Sequence, residues 1–233
     1  MGCNLDIIGE AGLQFFGTMT ASITHELKNV LAVINENAGL LEDLILMAEK
    51  GRPIAPERLK TLAGTVRKQI RRADEIVKNM NRFAHSADEP MKSVDVGEIV
   101  GLAATLSHRH ATMHGVTLEP RPHPSPLMIT TNPFFLENLL WLCLVFAMNA
   151  AGGSKTVGLI WEKMEKGVTI RLTCLEGLAE QPGDRFPAEQ EKALLRALKA
   201  ELRVDIEAGE LIITLPGGIS SGVDSREPLS KED

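Results

Sequence analysis

His25, Glu26 and Asn29 are the residues of this sequence whose types and spacing suit chemistry. A free imidazole is abundant near neutral pH and is a competent nucleophile. A carboxylate beside it can orient the ring or accept its proton. An amide four residues on lies one helical turn away, so it approaches the same water or phosphoryl group. On spacing alone an exposed His-Glu pair is a common surface feature, and its meaning depends on the element that carries it.

That element reads as one long helix. Residues 10–49 contain no proline, and apolar or small residues recur in alternating steps of three and four: Leu13, Phe16, Thr20, Ile23, Leu27, Val30, Ile34, Asn37, Leu41, Leu44 and Ala48. With Leu13 at heptad position a, Phe16 is d and the register holds along the helix. His25 then falls at f, furthest from the core, on a row whose other members, Thr18, Ala32 and Gly39, are small. A further stripe at e, formed by Leu31, Ala38 and Ile45, widens the apolar face beyond a two-stranded seam and favours a bundle of about four helices. Gly51 and the prolines at 53 and 56 turn the chain into a second amphipathic helix reaching His85, with Leu59, Leu62, Val66, Gln69, Ala73, Ile76, Met80 and Phe83 on its stripe. Two such helices on a short loop make an antiparallel hairpin. One hairpin cannot cover so wide a face, so two chains are expected to pair as a dimeric four-helix bundle, unless the rest of the chain covers the stripe instead.

The segment from Ser22 to Ile34, with His25-Glu26-Leu27-Lys28-Asn29, resembles the H-box of two-component sensor histidine kinases, HExK/RNPLxxI, with Val30 where the proline usually stands. The resemblance implies that His25 is the phosphoacceptor and Glu26 its acid/base partner. It also implies that Asn29 orients water when a receiver domain's phosphoaspartate is hydrolysed. The partner implied is a response-regulator receiver domain, together with a second copy of the chain.

After Ala87-Asp88-Glu89-Pro90 the pattern changes. A helix carrying Val96, Ile99, Ala103 and Leu106 should end near Gly115. Strands are expected over 116–119 and 127–130, then a helix capped by Asn132, with Pro133 first, to about Ala151. Further strands over 156–161 and 168–174, a helix over 187–202 and a terminal hairpin pairing 203–207 with 210–215 complete an α/β sandwich. The whole is thus of the α+β class: residues 1–9 a tail, 10–90 the dimerisation and phosphotransfer hairpin, 91–218 the α/β domain, and 219–233 a polar tail. The α/β part resembles the ATP-binding domain of the same family in layout. Met148-Asn149-Ala150-Ala151 matches the end of its N-box, where Asn149 would meet magnesium-bound nucleotide. Val145 replaces the earlier N-box Asn. Leu172 to Leu178 lacks the Asp-x-Gly-x-Gly that reads adenine, and Pro187 to Glu191 stands where a phosphate-gripping Gly-x-Gly belongs. A degenerate domain is the expectation, with ATP and magnesium as cofactors only if the chain is instead a conventional sensor kinase.

The remaining features set bounds. The net charge of −6 is spread along the chain and suggests no nucleic-acid partner; the basic run Arg67 to Arg72 reads as a solvated face. The most apolar stretch, Leu139 to Ala151, suits a buried helix rather than membrane insertion, and a cytoplasmic protein is expected. Cys3, Cys143 and Cys174 fit no metal spacing and read as reduced, buried thiols. His108, His110 and His114 lack a carboxylate or cysteine to complete a metal set and read as a helix terminus. Gly152-Gly153-Ser154 follows a helix and reads as a turn, since a phosphate loop would precede one. The expected function is exchange of a phosphoryl group between His25 and receiver aspartates, or promotion of their dephosphorylation. The alternatives are a sensor kinase with a divergent ATP site and a non-catalytic dimeric scaffold for receiver domains.

Overall fold

The computed structural model describes residues 2–121, 123–181 and 186–217. Helix α1 spans Gly2–Glu49 and helix α2 spans Pro56–His85, joined by the expected turn, with Gly51 at φ +77°. The d row of α1 turns towards the interior of the single chain: Ile23, Val30 and Leu44 are buried. Leu13, Leu31, Leu41 and Ile45, from the a and e rows, stay exposed.

Residues 2–9, expected as a tail, instead open α1, and Ile8 packs against the core of the α/β part. Gly12 permits the close approach: a Cβ there would stand 3.1 Å from Phe134 Cε1. The polar tail expected over 219–233 lies outside the described residues.

Past the hairpin, β1 (Lys92–Asp95) leads into α3 (Val96–His114), which ends at Gly115 in the left-handed region, φ +65°. Strand β1 has no periodic signature and pairs antiparallel with β3 (Met128–Thr131) as a separate ribbon. Asp95 ties the two, its Oδ1 accepting from Gly97 N at 3.1 Å and Leu127 N at 2.9 Å. Strands β2 (Thr117–Arg121), β4 (Thr156–Met164), β5 (Gly167–Thr173), β6 (Glu201–Asp205) and β7 (Glu210–Pro216) form one mixed sheet in the order β2-β4-β5-β7-β6. Only the β2–β4 pair is parallel. Helix α4 (Pro133–Ala150) starts as expected, with Asn132 Oδ1 accepting from Phe135 N at 2.9 Å. It is long and apolar enough to cross a membrane by length and composition, yet most of it is buried among the sheet, α3 and α5 (Glu189–Leu198).

Two local expectations are corrected. The last helix was expected to reach Leu202 but stops at Leu198, because Lys199 takes a left-handed conformation, φ +53°, and Ala200 N closes back on Leu195 O at 2.9 Å. That is the helix stop normally signalled by glycine, written here with a lysine. Cys174 is exposed rather than buried: the chain leaves β5 there at φ +66°, which reverses the alternation, whereas Cys143 is fully buried in α4.

The hairpin and the α/β part meet in a shared cluster. Phe15, Met19 and Ile23 of α1 and Phe83 of α2 pack with Leu102, Leu106 and Trp141. Phe83 stands edge-on to Phe15 and is stacked on Phe16, at ring separations of 5.3 Å. The α/β part therefore packs on Phe15, Met19 and Ile23 at the upper end of α1, as the alternative to dimerisation allowed, while Leu31, Leu41 and Ile45 stay exposed.

Candidate functional site

His25 lies on the exposed side of α1, where the f position puts it. The three chemistry-bearing residues form two separate pairs. Asn29 Nδ2 donates to His25 Nδ1 at 3.3 Å, an i,i+4 contact that follows from helix geometry alone. Glu26 is turned to the other helix of the hairpin, with Oε2 at 3.8 Å from Arg72 Nη2. Its side chain is 22% exposed against 53% for the arginine, so the pair is solvent-screened and loosely held. Sequence reasoning placed Arg72 on a solvated basic face. The height at which α2 presents it to Glu26 depends on how the helices align, which neither helix encodes by itself.

Glu26 and Arg72 also border an open cleft of about 860 Å³ between the hairpin and the α/β part, with Ile76 and Asn79 on one wall and Thr105 and His108 on the other. His110, one of the three histidines weighed as a metal set, packs edge-on to Trp141 at 4.6 Å, and burial lowers its pKa. Among the described residues no cluster of three or more His, Cys, Asp or Glu is arranged to hold a metal ion.

The structure brings together the three segments that correspond to a nucleotide site, at the C-terminal end of α4. Gly177 N donates to Ala150 O at 2.9 Å, and Gln181 Nε2 donates to Asn149 O at 3.2 Å. Glu176 Oε2 accepts from Gly153 N at 3.1 Å and Ser154 N at 3.2 Å, fixing Gly152-Gly153-Ser154 as a turn. Phe146 of α4 stacks on Phe186 at 4.0 Å, with the rings 8° from parallel. Asn149 itself is exposed. By the resemblance, Thr173 and Cys174 stand where the adenine-reading carboxylate would be, and beside them two apolar rings lie face to face. These residues do not fit an adenine nucleotide with magnesium.

Comparison with known proteins agrees with the helical part of this picture. Residues 17–89 match the model of the His Kinase A (phospho-acceptor) domain. No curated protein matches the sequence. Matching solved structures include the Acinetobacter baumannii histidine kinase AdeS, 12% identical with a TM-score of 0.45 over 84% of this chain and 98% of that one. The Mycobacterial sensor histidine kinase MprB matches at 17% identity and a TM-score of 0.42, over 55% of this chain and 97% of that one. The ATP binding domain of PrrB from Mycobacterium tuberculosis matches at 20% identity and a TM-score of 0.43, over 55% and 98%. Residues 17–89, with His25 on their first helix, thus carry a match to the His Kinase A (phospho-acceptor) domain.

Proposed function

We propose that the chain is a dimeric histidine phosphotransfer protein that exchanges a phosphoryl group between His25 and receiver-domain aspartates without using ATP. The observation that carries this reading is the exposed His25 ring, hydrogen-bonded by Asn29, within a segment that matches the phospho-acceptor domain. In the forward step the imidazole forms an N–P bond while the P–O bond to a receiver's carboxylate breaks; the reverse step delivers the group to a second receiver. Promotion of the receiver's phosphoaspartate hydrolysis by Glu26 and Asn29 is the other outcome, with Asn29 orienting the water.

Two further features support the reading. Exposed Leu31, Leu41 and Ile45 continue an apolar face that a second hairpin would cover, giving the four-helix bundle and residues 10–90 their dimerisation role. The closed corner at Phe146 and Phe186 leaves residues 91–218 a shape-giving and docking role. The protein then works in the cytoplasm, on receiver domains, with no nucleic acid and no membrane insertion. The test is incubation with a phosphorylated receiver domain followed by acid-labile phosphate analysis of wild type and His25→Ala. Label on the wild type and none on the variant is expected; equal label, or none on either with a panel of receivers, would sink the reading.

A further inference from the structure

Each helix of the hairpin has two flanks, and their burial tells them apart. Carrying the heptad letters onto α2 with Leu59 at a makes Phe83 d and Arg72 g. Within the chain the two helices meet through d and g: Phe16 stacks on Phe83, Ile23 and Ile76 share one cluster, and Glu26 pairs with Arg72. These contacts fix the heights, because each heptad up α1 is matched by one heptad down α2. The e and b rows lie on the other flank and are exposed on both helices, from Thr24 to Ile45 and from Lys60 to Val77. Leu31 and Ile70, both at e, are 54% and 56% exposed. Along b run Lys28, Asn35 and Glu42 on α1, and Asp74, Arg67 and Lys60 on α2.

We propose that this flank takes a second copy of the chain running in the same direction, α1 of one copy on α2 of the other, with the b rows as the code that selects it. The inference deepens the proposed dimer and rests on it. At the heights set within the chain, Leu31 meets the partner's Ile70 and Ala38 meets the partner's Ala63, large on large and small on small. Lys28 then faces the partner's Asp74, Asn35 the partner's Arg67 and Glu42 the partner's Lys60, and the two-fold axis repeats each pair. Opposite charges meet and like charges do not, which is how charges beside an apolar seam set partner and orientation. Among the described residues Lys28, Glu42 and Lys60 have no ion-pair partner within the chain. Asp74 pairs with Lys78 one turn on and stays open to a second cation, its side chain 63% exposed. The reverse dimer, head to tail with each helix on its own copy, also joins Lys28 to Glu42 and Lys60 to Asp74. It sets Arg67 against the partner's Arg67 and leaves Leu31 over alanine, so the rows distinguish the two.

Full-length chains carrying Glu42→Lys or Lys60→Glu test the code, since both positions are exposed and make no contact the single fold needs. By sedimentation at low ionic strength, each variant alone should dimerise about 10-fold more weakly than wild type, as two attractive pairs become repulsive. Mixed one to one, the two variants regain both opposite-charge pairs. Native mass spectrometry, with one variant isotopically labelled, should then find about nine dimers in ten mixed, against half for random pairing. A chain with both substitutions should dimerise like wild type. In the head-to-tail dimer the mixture keeps its repulsions, so random pairing would overturn the proposal, as would single variants that dimerise like wild type. A wild-type dimer blind to these charges removes only this inference, whereas a wild-type monomer removes the proposed dimer and this pairing with it.

Discussion

Glu137 illustrates how one side chain at the junction of hairpin and sheet domain can make the fold pH-sensitive. It is 1% exposed on α4, and burial pushes its carboxyl up from 4.5 to about 7, against smaller opposing effects from Ser86 and Arg82. Ser86 Oγ lies 2.7 Å from Phe83 O and 2.8 Å from Glu137 Oε2. A hydroxyl has one proton; if it goes to the carbonyl, the second short contact is satisfied by a protonated Glu137 donating to Oγ. Arg82 and His85 of α2, Lys92 and Asp95 of β1 and Glu98 of α3 line one cleft together with Glu137. Below pH 4.5 the carboxyl is neutral in both folded and unfolded chains. As pH rises through 7 the unfolded chain has already ionised while the folded one resists, so stability falls and then levels off, by about 3 kcal/mol in total. Glu137→Gln keeps a donor for Ser86 and removes the titration. In urea unfolding the variant should lose less stability than wild type between pH 5 and pH 8; equal losses would exclude Glu137 as the cause.

The helices of the hairpin carry two kinds of leucine that a single chain distinguishes. Leu44 is 5% exposed and faces α2, whereas Leu41 is 41% exposed. A charge at Leu44 would be buried with no partner, at a cost of several kcal/mol. Leu44→Asp should therefore unfold the lower hairpin, seen as lost helical circular dichroism. Leu41→Asp should leave the helix content intact and, if the proposed dimer forms through this face, convert it to monomer by sedimentation. A Leu41→Asp dimer as stable as wild type would place the subunit contact elsewhere. The same contrast separates what α1 does for its own chain, through the d row, from what it offers to a second copy, through a and e.

The molecule as a whole joins a hairpin that matches the phospho-acceptor domain to an α/β part whose corner at Phe146 and Phe186 is filled from within. Losing one charged hydrogen bond to adenine costs about 1.5–3 kcal/mol, or roughly 10- to 150-fold in affinity. The missing glycines remove the backbone donors for the phosphates as well. Calorimetry of the full chain with ATP and magnesium should give no binding heat, and a dissociation constant of about 10 μM or tighter would overturn the ATP-independent reading. Phe186→Ala should not create nucleotide binding either, because it opens the corner at Phe146 without supplying a carboxylate or a phosphate loop.

The sequence by itself determined what depends on local periodicity. The phase of the two helices, the extent of α2, the exposed f position of His25, the i,i+4 approach of Asn29 and the Asn132 cap all follow from 3.6 residues per turn and a few side-chain oxygens. Tertiary structure decided the rest. The first turns of α1 form because Ile8 and Gly12 find the α/β part, and α5 stops at a lysine because Leu202 must pair with Ile213. Cys174 faces solvent because the strand ends in a left-handed turn. Glu26 turned from His25 to Arg72 for the same kind of reason: the height at which two helices meet is set by contacts far apart in the chain, which no local pattern records.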